Sequence, residues 1–565
     1  MSEARFGRTQ FGGDYDPETA AGDRLFGLAD LIATAWSQVL ERNAVQFDDA
    51  FVEIGGDSIA ALRVASSLYS SVGIELDASD FVDYPTPLQL AELVLRRIEQ
   101  GSAMSSAAAL GPSNPAGPDS IATTSREGDR APLSHSQEAL WAYQHHHPQA
   151  WLFNMPLVLM LEGRLDIHAL DAAFQNALQS YSALRTCFGQ GDDGAPYQSI
   201  APTSGFAVAV EDATDASTAA VDALLDRDER TPFDLARAPL LRVRVLKLAE
   251  TRYLLSTTIH HIIFDGWSYR VLFREVAAAY NAHRRGSPKP VALPGVQLAD
   301  YARWQRTDAD LSRLMRDQRE YWSTQLRGLQ KREWRRSARG APTAPDNGVF
   351  ASMPLDAEVT RRLRAVAARY KTSLVACLLS IYDVLLAART HTLDVAVGTI
   401  VANRRSPALA DAVGFFVNAV VLRSDLSGNP TFGELARRNW SVIRSALDHQ
   451  ELPFGETIAL AENPGEYRDN PYYQALFVFL PWRFNEHLAL DGITVRKHRQ
   501  GYSIARGDLV LELEEASEGL VGGFYFDRDY FEPAAIERLI TDFGALLRRF
   551  LDNPELPVSG ELQMI

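Results

Sequence analysis

The sequence predicts a multidomain chain whose two folded parts differ in class: a small all-α four-helix bundle, then a larger α/β region of two lobes. Three observations carry this. The stretch GSAMSSAAALGPSNPAGPDSIATTSREGDR, Gly101 to Arg130, is rich in Ala, Ser, Gly and Pro and has no helical or strand period. Before it, apolar residues recur at helical spacing; after it, helical stretches alternate with β-rich runs. The part after it, roughly 430 residues, exceeds a usual single core, which favours two lobes. The predicted division is residues 1–23 as a leading linker, 24–98 as the bundle, 99–130 as a flexible linker, 131–296 as a first lobe and 297–565 as a second.

In the bundle, Leu25, Leu28, Ile32, Ala35, Trp36, Val39 and Leu40 fall on one helical face. Another helix is predicted from Ser58, after the Gly55-Gly56 turn. A last one follows Thr86, an N-cap with Pro87 at the first helical position, and buries Leu90, Leu93, Val94 and Ile98. The linker, taken as about 30 flexible residues, has a root-mean-square reach of roughly 30 Å, so one part can move over another. In the first lobe, MPLVLMLEG (Met155 to Gly163), LLRVRVLKL (Leu240 to Leu248) and RYLLSTTIHHIIF (Arg252 to Phe264) predict strands. DVAVGTIVA, AVVLRSDL and LVLELEEA do so in the second.

Composition excludes several classes. Hydrophobic residues make up 46% and charged residues 23%, with no apolar run near the length that spans a bilayer. The first residues, MSEARFGRTQFGGDYDPETA, lack a secretory signal, so a cytoplasmic protein with no membrane partner is expected. Cys187 and Cys377 are the 2 cysteines and form no CxxC pair, which predicts neither disulfide nor zinc site. A formal charge of −16 argues against nucleic acid, whose phosphates require clustered Lys and Arg. The triplet His145, His146 and His147 is read without a metal.

Two segments carry chemistry. In DDAFVEIGGDSIAALRVAS, Asp48 to Ser66, the glycines allow a sharp turn and Ser58 holds its hydroxyl at a helix start, where an enzyme can reach it. By itself this is equally a helix cap. The segment resembles the attachment site of peptidyl carrier proteins, over Arg24 to Ile98 and including FVDYPTPLQLAEL. The resemblance implies 4′-phosphopantetheine on Ser58, placed by a phosphopantetheinyl transferase and loaded by an upstream adenylation domain. Five Lys and Arg (Arg24, Arg42, Arg63, Arg96, Arg97) against eleven Asp and Glu give 5 − 11, a net −6, suited to docking on basic patches or simply to solubility.

In TTIHHIIFDGWSYRVLFREV, Thr257 to Val276, two histidines close a β-run. Adjacent side chains on a strand face opposite ways, so one histidine can face a channel while the other packs inward. HHIIFDG resembles the HHxxxDG signature of nonribosomal peptide synthetase condensation domains, which share a two-lobed fold with chloramphenicol acetyltransferase. LSHSQEALWAYQ and ALRTCF before it, and DYARWQ, VGFFVNAVV, HQELPF and RDNPYYQALFVF after it, resemble the remaining core motifs in the family's order. The resemblance implies that His261 is catalytic, His260 its structural neighbour, Asp265 a buried acid that holds the loop, and Gly266 a point of close backbone approach. Where many relatives read RHExLRT, this chain has SYSALRT, so Arg185 or a distant arginine is left to pair with Asp265. Asn418 is implied as a residue lining the tunnel.

A carrier ahead of a condensation domain implies the donor carrier, with the amine arriving on a downstream acceptor carrier. No epimerisation domain separates the two, which favours an L-configured donor. Two rivals stand: an epimerisation domain, against which DGWS, DYARWQ and YQALFVF argue, and an inactive platform recruiting carriers or tailoring enzymes, against which the intact His260, His261, Asp265 and Gly266 argue.

Overall fold

A computed structural model describes residues 20–40, 42, 44–51, 54, 61, 64, 68, 76, 80–104, 121–202, 205–287, 291, 295–329, 348–404, 406–460, 475–480, 487–498, 507–516, 519–528 and 530–563. They fall into two compact units that part between residues 112 and 113.

The first unit is helical. Ala20–Val39 buries Leu25, Ala29, Ile32 and Trp36, and Pro87–Met104 buries Leu90, Ala91 and Val94. Between them the Trp36, Phe51 and Phe81 rings form an aromatic centre, with centroids 4.6 Å apart for Trp36–Phe51 and 4.9 Å for Phe51–Phe81. Thr86 Oγ1 accepts the Gln89 N–H at 3.3 Å, capping the last helix as its sequence requires. Most of the helix expected from Ser58 lies outside the described residues; of its positions, Ala61, Val64 and Leu68 are helical and buried. The last helix runs on to Met104, into the stretch expected as linker from residue 99. One glycine, Gly101, costs a helix only about 1 kcal/mol, and no proline intervenes before Pro112.

In the second unit the expected linker is also shorter at its far end. Ile121 is buried, and the Thr124 and Ser125 N–H groups donate to the Asp300 carboxylate at 2.9 and 2.8 Å. That acceptor lies 176 and 175 residues away, so no local period announces it.

In chain order the strands of the first lobe are β1 (Arg130–Pro132), β2 (Asn154–Glu162), β3 (Thr186–Gln190), β4 (Pro196–Ile200), β5 (Ala209–Asp212), β6 (Leu241–Ala249) and β7 (Arg252–His260). There follow β8 (Gly348–Ser352), β9 (Leu355–Asp356), β10 (Asp394–Val401), β11 (Asn418–Asp425), β12 (Ala475–Leu480), β13 (Thr494–Lys497), β14 (Leu509–Ala516) and β15 (Gly519–Asp527). A small sheet runs β1-β4-β3. The first lobe's main sheet runs β13-β2-β7-β6-β5, and the second lobe's runs β11-β10-β12-β14-β15-β8, with β9 also on β15. The helix Leu374–Thr390, buried along most of its length, packs in the second core with Phe432–Asp448 and Pro533–Asp552. No single described helix is long and apolar enough to cross a membrane.

The lobes do not divide at 296/297 as expected. β13 pairs antiparallel with β2 from Thr494↔Glu162 to Lys497↔Leu159, so a late strand completes the early sheet. The helix Leu298–Thr307 also leans on the first lobe. The Gln297 side chain before it accepts the Ser182 N–H at 2.9 Å, and Arg306 donates to Leu133 O at 3.0 Å. Backbone pairing and caps between distant segments set these positions, and composition is blind to both.

Candidate active site

β7 runs antiparallel between β2 and β6 and ends at His260; His261–Ile263 is a 3-10 turn, and the helix Gly266–Arg284 follows. The two imidazoles are therefore parted by the turn as well as by strand alternation. His260 is 1% exposed and packs edge-on to Phe153 and Phe233, with centroids at 6.2 and 6.1 Å. Its Nδ1 accepts the Ile262 N–H at 3.1 Å, so the neutral ring carries its proton on Nε2. Burial, then the neighbouring His261 and Arg242, pull its pKa down to about 3, and the ring is neutral at pH 7.

His261 keeps part of its surface open. Its own N–H donates to Phe153 O at 2.8 Å. Its Nδ1 lies 2.6 Å from Phe264 O, and a carbonyl only accepts, so Nδ1 holds the proton and Nε2 is the basic nitrogen of the neutral ring. Phe415 meets the imidazole at 4.8 Å and 64°. Below the turn, Gln137, buried in the helix His135–His146, donates to Ile262 O at 3.0 Å while its Oε1 accepts the Ser134 N–H at 2.9 Å.

Asp265 is 0% exposed and caps the helix Gly266–Arg284, accepting the Ser268 N–H at 2.8 Å on Oδ1. Gly266 is the first helical residue. Across the lobes, Arg404 Nη2 donates to both Asp265 oxygens at 3.0 and 3.1 Å, and the Phe416 N–H donates to Oδ2 at 3.2 Å. The Ser268 hydroxyl accepts the Gly414 N–H at 3.0 Å. A Cβ on Gly414 would meet Phe416 at 2.6 Å and Leu298 at 2.9 Å, so glycine is needed for this approach. Burial lowers the Arg404 pKa, and the Asp265 charge opposes that.

One expectation is corrected and one open choice is decided. Of the two partners left for Asp265, Arg185 is not the one: its guanidinium donates to Leu178 O at 2.8 Å and Ala201 O at 2.7 Å and faces Glu127 at 3.6 Å. It holds the small sheet to the first lobe, and Arg404, from the other lobe, takes the acid. Asn418 does not offer its amide to a channel. Its Nδ2 donates to Gln450 O and Leu452 O at 2.8 and 2.7 Å, and its Oδ1 accepts the Phe454 N–H at 3.0 Å. The side chain is spent on tying β11 to the His449–Phe454 segment.

Sequence reasoning missed Arg404, Gln137 and Phe415. The Arg404-Arg405 pair was visible, but nothing local links it to an acid 139 residues away. No group of three or more His, Cys, Asp or Glu able to hold a metal occurs among the described residues. Ser58 and the glycines before it lie outside the described residues. A serine hydroxyl is the chemistry a phosphodiester link to pantetheine needs, and the buried Ala61, Val64 and Leu68 anchor the chain beyond it.

Residues 127–564 match the condensation-domain model, and residues 30–94 match the phosphopantetheine-attachment-site model, which is where 4′-phosphopantetheine is bound covalently. The chain is 32% identical over 535 residues to a linear gramicidin synthase of Brevibacillus parabrevis, covering 93% of this chain and 10% of that one. It is 30% identical over 536 residues to malpinin synthetase of Mortierella alpina, covering 94% and 7%. The chain thus spans a tenth or less of the length of these relatives. Among solved structures, the X-domain from teicoplanin biosynthesis superposes with TM-score 0.68 at 26% identity, over 78% of this chain and 99% of that one. A complex of the X-domain and OxyB from teicoplanin biosynthesis is also similar, at TM-score 0.68 and 26% identity over 80% and 98%. The first condensation domain of the calcium-dependent antibiotic synthetase, with a substrate analogue, gives TM-score 0.65 at 19% identity over 77% and 98%, a likeness of fold. The chain belongs to the condensation-domain family and carries a phosphopantetheine-attachment domain ahead of it.

Proposed function

We propose that the chain is a piece of a nonribosomal peptide synthetase whose condensation domain forms an amide bond between a carrier-bound thioester and a carrier-bound amine. The observation that carries this is His261: a partly exposed imidazole whose Nδ1–H is held by the Phe264 carbonyl, leaving Nε2 as the base. Ser58 is the proposed attachment residue; once attached, the pantetheine supplies the thiol that holds the acyl group.

The chemistry asks mainly for placement. A thioester has a thiol leaving group with a pKa of about 8.5, and an α-amine has one near 8, so freeing the amine at pH 7 costs about 1 to 1.5 kcal/mol. Holding the two reactants together removes about 7 to 11 kcal/mol of barrier, whereas general-base action gives about 10² to 10⁴-fold. In the step itself the amine nitrogen bonds to the acyl carbon and the C–S bond breaks. The proton leaving nitrogen passes by way of His261 Nε2 to the departing sulfur. Asp265 and Arg404 hold the two lobes together at the start of the helix that follows the His261 turn.

The partners follow from this reading: an upstream adenylation domain, a phosphopantetheinyl transferase, and a downstream acceptor carrier. The cytoplasm is the proposed compartment. A second reading, a platform that recruits another enzyme, is favoured by the likeness to the X-domain, which has been solved with OxyB. Loading the pantetheine thiol on Ser58 with an aminoacyl group, adding an aminoacyl acceptor carrier and following both masses separates the two. Transfer of the acyl group to the acceptor supports condensation. A wild-type chain that never transfers, across a panel of donors and acceptors, sinks it in favour of the platform.

A further inference from the structure

Beneath the His261 turn, three side chains from three segments form a stack. Arg242 on β6 lies over the Phe233 ring, its guanidinium carbon 3.7 Å from the centroid. The His260 ring meets Phe233 at 90° and 6.1 Å. The same guanidinium donates to Thr231 O at 2.5 Å and to Asp228 O and Pro232 O at 3.3 Å, all in the segment that leads into Phe233. On its other side His260 is closed by Phe153, whose carbonyl receives the His261 N–H. Burial lowers the Arg242 pKa to about 10, so it stays charged at neutral pH.

We propose that Arg242 is a positioning residue for the reaction: by clamping the 228–232 carbonyls and stacking on Phe233, it presses that ring onto His260 and keeps dry the imidazole that caps the turn bearing His261. This rests on the reading of His261 as the reacting base. The Ile262 N–H is accepted by His260 Nδ1 only while that nitrogen keeps its lone pair. Water admitted beside the ring returns it toward the ordinary histidine range and protonates Nδ1, turning an acceptor into a donor that faces another N–H. The turn then loses its cap, and the His261 ring loses its aim.

The groups facing His260 make this specific. His261 and Arg242 both disfavour a charge on it. Asp228, on the helix Thr218–Arg230, is occupied by Arg244 at 2.6 and 3.1 Å, and Glu229 of that helix offers its backbone carbonyl to Asn154 at 2.6 Å.

The test uses the full chain carrying 13Cε1-labelled histidine, with the His260 signal assigned by difference from His260→Gln. In the wild type this signal is expected to stay neutral down to pH 4. In Arg242→Ala it is expected to titrate near the ordinary value of about 6.5. Amide formation from loaded carriers should lose roughly ten- to a hundredfold in kcat at pH 6, recover in part at pH 8, and keep its KM. Arg242→Lys, which keeps the charge but lacks the planar fork, should behave like Arg242→Ala. A folded Arg242→Ala whose His260 stays neutral to pH 4 with wild-type kcat overturns the proposal. Should Arg242→Ala not fold, the same titration on Arg242→Lys decides it. If the wild type forms no amide, the functional reading fails, while the titration still answers for Arg242.

Discussion

The turn that carries His261 and the seat that carries Asp265 are four residues apart and are built in opposite ways. The turn is held by short-range bonds and by the first lobe: Phe264 O, Ile262 N–H, Phe153 O and Gln137. The seat is held from the second lobe, by Arg404, Gly414 and Phe416. Its strongest bond joins two buried opposite charges, whereas the turn's are single neutral contacts. The difference teaches that the imidazole's aim is local, while its place against the second lobe is set by a seat whose one buried charge pair is Asp265–Arg404. The largest expected effect breaks that pair. Arg404→Met leaves Asp265 buried and unpaired and should cost about 3–5 kcal/mol in denaturant unfolding. Adding Asp265→Asn should recover much of the loss, as a double-mutant cycle would reveal; an additive cycle would mean the two charges do not communicate.

The next effect falls on the turn and spares the fold. His261→Ala removes a partly exposed ring, so stability should change little, while kcat for amide formation should fall about 10²-fold or more. The comparison of kcat and unfolding midpoint for His261→Ala and Arg404→Met separates the two regions. If His261→Ala unfolds as readily as Arg404→Met, the turn is not the independent unit described above.

The same division explains what the sequence made legible. The bundle helix from Pro87 and the β-run leading into the histidine pair can both be read because each depends on neighbours a few residues away. Arg404, the closing strand β13 and the fate of Asn418 could not be read, because their partners lie far along the chain or are backbone carbonyls that carry no residue identity. Arg185 shows why the choice between it and a distant arginine stayed open: it survives in a familiar motif, yet local carbonyls hold it where it stands.

A smaller effect comes from pH. His260 binds a proton in the unfolded chain below its ordinary pKa of about 6.5, but in the folded chain only near 3. Its contribution is therefore complete above about pH 6.5 and is withdrawn as pH falls from there toward 3, by up to about 1.4 kcal/mol per unit. Unfolding free energies of the wild type and His260→Gln, measured from pH 7 to pH 5, should converge as pH falls. Parallel curves would show that the buried ring does not set this slope.

The smallest effect lies where the two regions meet. Phe415 follows Gly414, which the seat fixes through Ser268, and its ring rests on the His261 imidazole. Through it the second lobe reaches the local turn. Phe415→Leu keeps the position apolar but gives up the edge contact, which is worth about 0.5–1.5 kcal/mol. If that contact steadies the imidazole in the transition state, kcat should fall by up to roughly tenfold with KM unchanged. The loss should disappear in an Arg404→Met background, where the lobe that presents Phe415 is already released. An equal loss in both backgrounds would mean that Phe415 acts on the imidazole without help from the seat.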